Sequence, residues 1–507
     1  MNDALRRGWA ARRPAIALFL ILLACYAYFP PRWAEWNQNS RFDLVLAIVD
    51  EHSVQIDRYV ANTGDYAYVD GHYYSDKAPG TALLGVPAYA AFRALAPSAL
   101  LARLTTAAGD GSALAATLRA DGTGLAVDKL YFFVALTATT FVTMALPSAL
   151  LGVLLLEVGG QLGLARRPAL AAAALFGLAT SAFPYANLFV GHQLSATLLF
   201  AAFALLLARR RGSLGRRCLP LVGFLIGYAA ITEYPTVLIG GLLGLYALAI
   251  GARRPADLAG DLALLAVGAL PPLGALAIHD YAAFGTPLPV GYLHSALWTD
   301  VHQQGFVSLT GPRLDALWGV TFGWHRGLFF LSPFLLLALP GYAALWRSPE
   351  RRLELAVLAL APAAFLLFNG SSAMWSGGFG VGPRYLVPCL PFLALAAGFG
   401  LAGAWARRPL RPIVVLAAAW SALAVWTETI AGQSFPDYTP NPLFDLSLPR
   451  LASGDLARNL GMFLGLSGWT SLLPLLAFGL LAVALVGIGL PTRRSGRPEV
   501  AAQWAPR

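Results

Sequence analysis

Apolar residues fall in long unbroken runs along this chain, and the polar residues gather in clusters between them. The runs lie near 15–29, 131–156, 168–186, 193–208, 218–232, 236–251, 260–279, 328–346, 354–368, 386–404, 412–430 and 471–490, without period-two alternation. In hydrocarbon such stretches satisfy their backbone hydrogen bonds only as helices, and about 17–25 residues span a bilayer. The pattern predicts an all-α polytopic membrane protein with about 12 transmembrane helices. A short helix is expected over 42–50, with Phe42, Val45, Leu46 and Val49 on one side and Asp43 and Asp50 at its edges. Residues 80–96 are apolar but short and carry Pro87 and Arg93, so they are expected to lie at the membrane surface or enter it partway.

The polar clusters are of two kinds. Arginine tufts such as Arg166 and Arg167, Arg209 to Arg211, Arg347 with Arg351 and Arg352, and Arg407 with Arg408 recur two spans apart. That spacing places them and both termini on the cytoplasmic side. The longer intervals, 30–128, 280–327, 369–385 and 431–470, then lie outside, and all seven histidines fall in or beside outer segments. The expected organisation is a first module, 1–255, carrying the long first periplasmic loop with surface helices. A second module, 256–490, and a basic cytoplasmic tail, 491–507, follow.

Composition changes this picture little. The chain is 57% hydrophobic and 12% charged, against about 25% charged in soluble domains. The net charge of +10 is accounted for by topology, so no nucleic-acid partner is expected. Three scattered cysteines suit neither a disulfide framework nor a zinc site. No Walker or Rossmann glycine pattern follows a strand, which argues against cytoplasmic nucleotide chemistry.

Candidate chemistry concentrates between Trp36 and Gly80. This stretch holds seven carboxylates and Lys77, one of two lysines in the chain. Asn39 and Asp43 are four apart and share a helix face; a carboxylate there suits a general base for an acceptor hydroxyl or amine. Asp57 and Asp76 are the other candidates for that role. In Tyr73-Tyr74-Ser75-Asp76-Lys77-Ala78-Pro79-Gly80, a lysine opens an apolar helix at the water boundary, where a phosphate would bind. A lysine snorkelling beside Asp76 accounts for the same pattern. His192, Glu233 and Tyr234 sit at outer turns between spans. Arg326 and Arg384, in Trp324-His325-Arg326-Gly327 and Trp375-Ser376 through Pro383-Arg384-Tyr385, run against the positive-inside trend and point to a local anionic partner, either a lipid-linked phosphate or one of Asp280, Asp300 and Asp315. Asp65, Asp70, His72 and Asp76 follow no metal-site spacing, so no cofactor is assigned and a divalent metal has no support.

Over residues 15–255 this order of features resembles the GT-C membrane glycosyltransferases, in particular the protein O-mannosyltransferase and lipid A aminoarabinose transferase branch. The match consists of one span, a long acidic outer loop, a Tyr-Phe-(Asp/Glu)-Lys-Pro element similar to Tyr73 to Pro79, and paired spans with basic turns such as Ala165-Arg166-Arg167. The resemblance implies an inverting transfer of sugar from a polyprenyl-phosphate carrier to a glycan, lipid or protein acceptor, at the outer face of a bacterial inner membrane. Lys77, Arg41, Arg326 and Arg384 would hold the phosphate. The family's first loop opens with an Asp-Glu pair, and alignment on Trp36 puts Asn39-Ser40 there, so the base falls to Asp43, then Asp57 or Asp76. Asn39, Tyr74, Trp375 and Tyr385 complete the candidate site. Two other readings stand beside it: a transporter or flippase of lipid-linked saccharide, and a catalytically silent scaffold.

Overall fold

The computed structural model describes residues 3–32, 35–96, 129–251, 255–433 and 435–489. The 491–507 tail and the 97–128 part of the first outer loop lie outside the described residues.

Seven helices among the described residues are long and apolar enough to cross a membrane: Leu130–Gln161, Gly191–Arg210, Tyr234–Gly251, Pro255–Phe284, Pro349–Gly370, Arg384–Ala406 and Arg408–Ala431. The chain is accordingly a multi-pass membrane protein. Of the other expected spans, the first lies in the continuous Asp3–Tyr28 helix, and the rest are helical but shorter or broken. The 168–186 run divides into Arg166–Leu178 and Ala182–Ala186, because the Thr180 hydroxyl donates back to the Phe176 carbonyl and accepts from the Ala182 N–H. The 328–346 run breaks at Ser332-Pro333, where proline cannot supply a helix N–H.

One core runs through the bundle. Leu22 and Tyr26 of the first helix, Asp3–Tyr28, join Phe176, Phe200, Phe203, Phe392 and Val425 in it. Residues on both sides of position 255 therefore share a single interior. Phe392 lies 5.4 Å from Phe200 and 5.8 Å from Phe203, ring centre to ring centre. At one end of the bundle, Asp261 accepts from Arg209 and Arg216, and Glu354 accepts from Arg210 and the Tyr246 hydroxyl. These nearly buried carboxylates tie arginine tufts to neighbouring helices.

The opposite end carries the segments expected outside. The helix predicted over 42–50 begins earlier, at Trp36, and runs to Asp50. Glu35 caps it, its carboxylate accepting from the Gln38 N–H at 2.7 Å. Because this helix lies beneath other outer segments, Asn37 through Ala47 are buried.

Next comes an element that the all-α expectation lacked. Ala67–Val69 and His72–Tyr74 form an antiparallel hairpin in register Ala67 to Tyr74. Its two-residue turn is Asp70-Gly71, with φ of 51° and 88°, and an Asp-Gly pair with both φ positive is the turn that matches strand twist. The Gly80–Leu95 helix follows at once. Gly80 is required by packing: a Cβ there would lie 2.6 Å from the Thr232 hydroxyl and 2.7 Å from the Ile231 carbonyl. That close approach holds the strand-to-helix junction, Ser75 to Pro79, against the end of the Leu219–Thr232 helix.

Candidate active site

The junction opens onto a half-enclosed cavity of about 320 Å³ at the outer end of the bundle. The start of the Trp36–Asp50 helix supplies Glu35, Trp36 and Arg41, and the hairpin arm supplies Asp65 and Lys77. His192 and Glu233 come from the ends of spans, Tyr292, Trp298 and His302 from the outer segment after Phe284, Phe379 from the glycine-rich loop 376–382, and Arg384 and Tyr385 from the start of the Arg384–Ala406 helix. His192 and Arg209 stand at opposite ends of one helix, about 26 Å apart at 1.5 Å per residue, so the cavity and this arginine tuft lie at opposite ends of the bundle.

Lys77 is the electrostatic centre of one wall. Its ammonium lies 3.0 Å from Asp65 and 3.1 Å from Asp76, with all three side chains almost fully buried. Burial opposes the lysine's charge, yet the two carboxylates raise its pKa above the ordinary value. Burial likewise pushes Asp65 upward, but Lys77 and a hydrogen bond from Trp298 Nε1, 3.2 Å away, hold it below the usual carboxylate range. Asp76, which accepts from the Ser295 hydroxyl at 2.7 Å, is pushed up by burial despite Lys77. Asp65 faces the cavity and Asp76 stands behind Lys77. The Tyr292 ring lies 5.9 Å from the ammonium.

The second wall pairs Arg41 with Glu233 at 2.9 Å, and Arg41 also donates to the Ala78 carbonyl at 2.8 Å. His192 Nδ1 is 3.6 Å from Glu233, and its ring is edge-on to Tyr185 and Tyr385. Arg384 differs from these cations. It donates to the Phe379 carbonyl at 3.4 Å, lies over the Tyr385 ring and is favoured by the nearby Glu35 carboxylate, but forms no direct ion pair among the described residues. Its Nε is buried without a hydrogen-bond acceptor. Glu35, near Arg384 and Arg32, is raised by burial against the Gln38 hydrogen bond and the arginines. Burial and Lys77 lower the pKa of His302, whose Nδ1 is 2.9 Å from the Ser308 hydroxyl.

Of the residues singled out in the sequence, the cavity gathers Lys77, Arg41, Arg384, His192, Glu233 and Tyr385. The others lie off its lining. Asp43 is fully buried; one oxygen accepts from Asn62 Nδ2 at 2.8 Å and the other has no partner. Burial raises it well above the ordinary carboxylate value, which favours the proton-bearing form. Asn39, on the same face, donates to the Asn62 carbonyl at 3.0 Å, so the pair clamps Asn62. Asp57 binds the Tyr73 N–H and His72 on the exposed side of the hairpin. Arg326 is fully buried and donates to the carbonyls of Gly378, Gly380 and Phe435, which anchors the loop leading into Arg384. Tyr74 rests on Phe284, Tyr234 on Tyr292, and Trp375 on His325.

The cavity also contains residues that the sequence reading did not select, chiefly Asp65, Glu35, Trp298, Tyr292 and His302. Asp65 had a local signal, the carboxylate run around Lys77. Trp298 reaches the site across more than 230 residues, and nothing in the sequence joins the two. Among the described residues no three His, Cys, Asp or Glu side chains form a metal-binding group.

No protein-family model and no curated protein matches the chain. Among solved structures it is similar to ArnT from Cupriavidus metallidurans bound to undecaprenyl phosphate, with 17% identity, TM-score 0.45, and coverage of 95% of this chain and 77% of that one. The apo state of ArnT gives 16% identity and TM-score 0.46, covering 96% and 75%. An Archaeoglobus fulgidus oligosaccharyltransferase tethered with an acceptor peptide gives 12% and 0.42, covering 84% and 58%. Each of these similarities is at 17% identity or less and extends over most of this chain.

Proposed function

We propose that this protein is an inverting glycosyltransferase, moving a sugar from a polyprenyl-phosphate carrier to an acceptor at the outer membrane surface. The observation that carries this reading is Arg384, a cation that forms no direct ion pair among the described residues, facing the same cavity as the ion-paired carboxylate of Asp65. A phosphate at the lipid boundary would take up the guanidinium's open donor positions. Arg32, also in the lining, would add charge. Arg41 and Lys77 each have carboxylates already, so their part is to hold Glu233 and Asp65 in place.

Asp65 would act as base. The acceptor O–H or N–H bond breaks as its heteroatom bonds the anomeric carbon, the carbon–oxygen bond to phosphate breaks, and the proton passes to Asp65. Phosphate leaves with the bonding pair beside Arg384. Trp36, Trp298, Tyr292 and Tyr385 provide flat apolar surfaces for the sugar ring. Positioning and neutralisation of the departing phosphate would carry most of the rate.

The test uses full-length protein in detergent. Replacing Asp65 by Asn should lower transfer from a polyprenyl-phosphate sugar by about 10²–10⁴-fold while leaving polyprenyl-phosphate binding intact. The R384M variant should weaken that binding. Unchanged binding in R384M together with full transfer in D65N would refute the assignment.

A further inference from the structure

A second cavity, of about 540 Å³, lies between the end of the first helix, the Leu130–Gln161 helix and the Leu460–Phe463 segment. Its lining is almost wholly apolar, including Phe29, Phe133, Phe141 and Phe463. Phe141, Val142 and Phe463 are exposed, so the groove opens on the side of the bundle. The hydroxyls of Thr137 and Thr140 donate within their own helix, to Phe133 and Leu136, and Tyr26 donates to the Gly177 carbonyl. Asn187 is different. It is 2% exposed and lines the groove, and neither its amide nitrogen nor its amide oxygen has a hydrogen-bond partner. A buried amide without partners is unfavourable, and a ligand supplying an acceptor would offset part of that cost.

Two features define the occupant. Along the Leu130–Gln161 helix the lining runs from Leu130 to Ala145, about 22 Å at 1.5 Å per residue, somewhat more than one leaflet of a roughly 30 Å core. Asn187 follows the short helix whose Phe183 ring lies 5.8 Å from Tyr26 and 6.3 Å from Phe29, at the outer end of the first span. The groove therefore suits a chain confined to the outer leaflet, with a polar linkage at the level where that chain meets water. We infer that it holds one acyl chain of an ester- or amide-linked membrane lipid, whose carbonyl accepts from Asn187 Nδ2. A bare isoprenoid tail has no carbonyl to offer there. This inference is independent of the proposed transfer reaction.

The test is native mass spectrometry of the full chain in detergent, titrated with dioleoyl phosphatidylglycerol and with its dialkyl ether analogue, which lacks carbonyls. The diester should bind about tenfold or more tightly than the ether, and N187L should remove that preference. N187L should keep or raise the thermal midpoint, which separates lost binding from lost folding. Equal binding of ester and ether, or an ester preference that survives N187L, would overturn the inference. So would displacement of the diester from this groove by polyprenyl phosphate at equal concentration.

Discussion

Asp43 and Asp65 show how environment drives the acidity of one residue type in opposite directions. Asp43 has a single donor, Asn62, and no solvent, so its neutral form is favoured. The folded chain then binds a proton that the unfolded chain loses above roughly pH 4, and stability should fall as pH rises through the raised pKa. D43N mimics the neutral acid. We expect it to retain transfer within a few-fold and to flatten that pH slope in thermal unfolding; loss of transfer with normal folding would restore Asp43 as the base. Asp65 has the opposite sign. Lys77 holds it low, so its contribution is present above the unfolded carboxylate pKa and is lost as pH falls through the folded one. The acid limb of transfer activity should accordingly lie below the ordinary carboxylate range. Lys77 itself is the keystone of three buried charges, and K77M would leave Asp65 and Asp76 facing each other without a cation. Removing one partner of a buried pair costs about 3–5 kcal/mol, measurable as a lower denaturation midpoint.

At the level of elements, the site depends on two small devices. The Asp70-Gly71 turn fixes the hairpin register that delivers Asp65 and Lys77 to one wall. A Cβ at Gly71 meets nothing within 4 Å, so G71A tests conformation alone. It should cost about 1–2 kcal/mol and reduce transfer through misplacement of the arm. The second device is Arg326, whose fork holds the Gly378–Gly380 carbonyls and Phe435 together. Lysine cannot reproduce that planar fork. R326K should weaken polyprenyl-phosphate binding by loosening Arg384, although Arg326 is off the cavity lining. Equal affinity in R326K and the parent protein would show that the loop is held by other contacts.

Across the whole molecule, polar groups separate to the two ends of an apolar bundle. Tyr438 is strongly exposed among the segments at the cavity end, and Ser213 sits in the short turn after the arginine tuft at the other. In a background with Cys25, Cys218 and Cys389 replaced, Y438C should react with an impermeant maleimide in intact cells. S213C should react only after permeabilisation, and the reverse pattern would invert the topology.

The helical membrane architecture was legible in the sequence because a bilayer imposes length and apolarity on each span separately. So was the charge cluster of the Tyr73–Gly80 stretch, where Lys77 stands among carboxylates. Span breaks at Thr180 and Ser332 were not legible, since they depend on single side-chain bonds within runs that stay apolar. Tertiary structure alone decided which charges are already neutralised. Arg41 meets Glu233 across 192 positions and Asp65 meets Trp298 across 233, and no local pattern encodes partners so far apart. It also placed Asp65, and not Asp43, on the cavity wall beside a cation, because long-range packing rather than position on a helix face determines which carboxylate reaches the cavity.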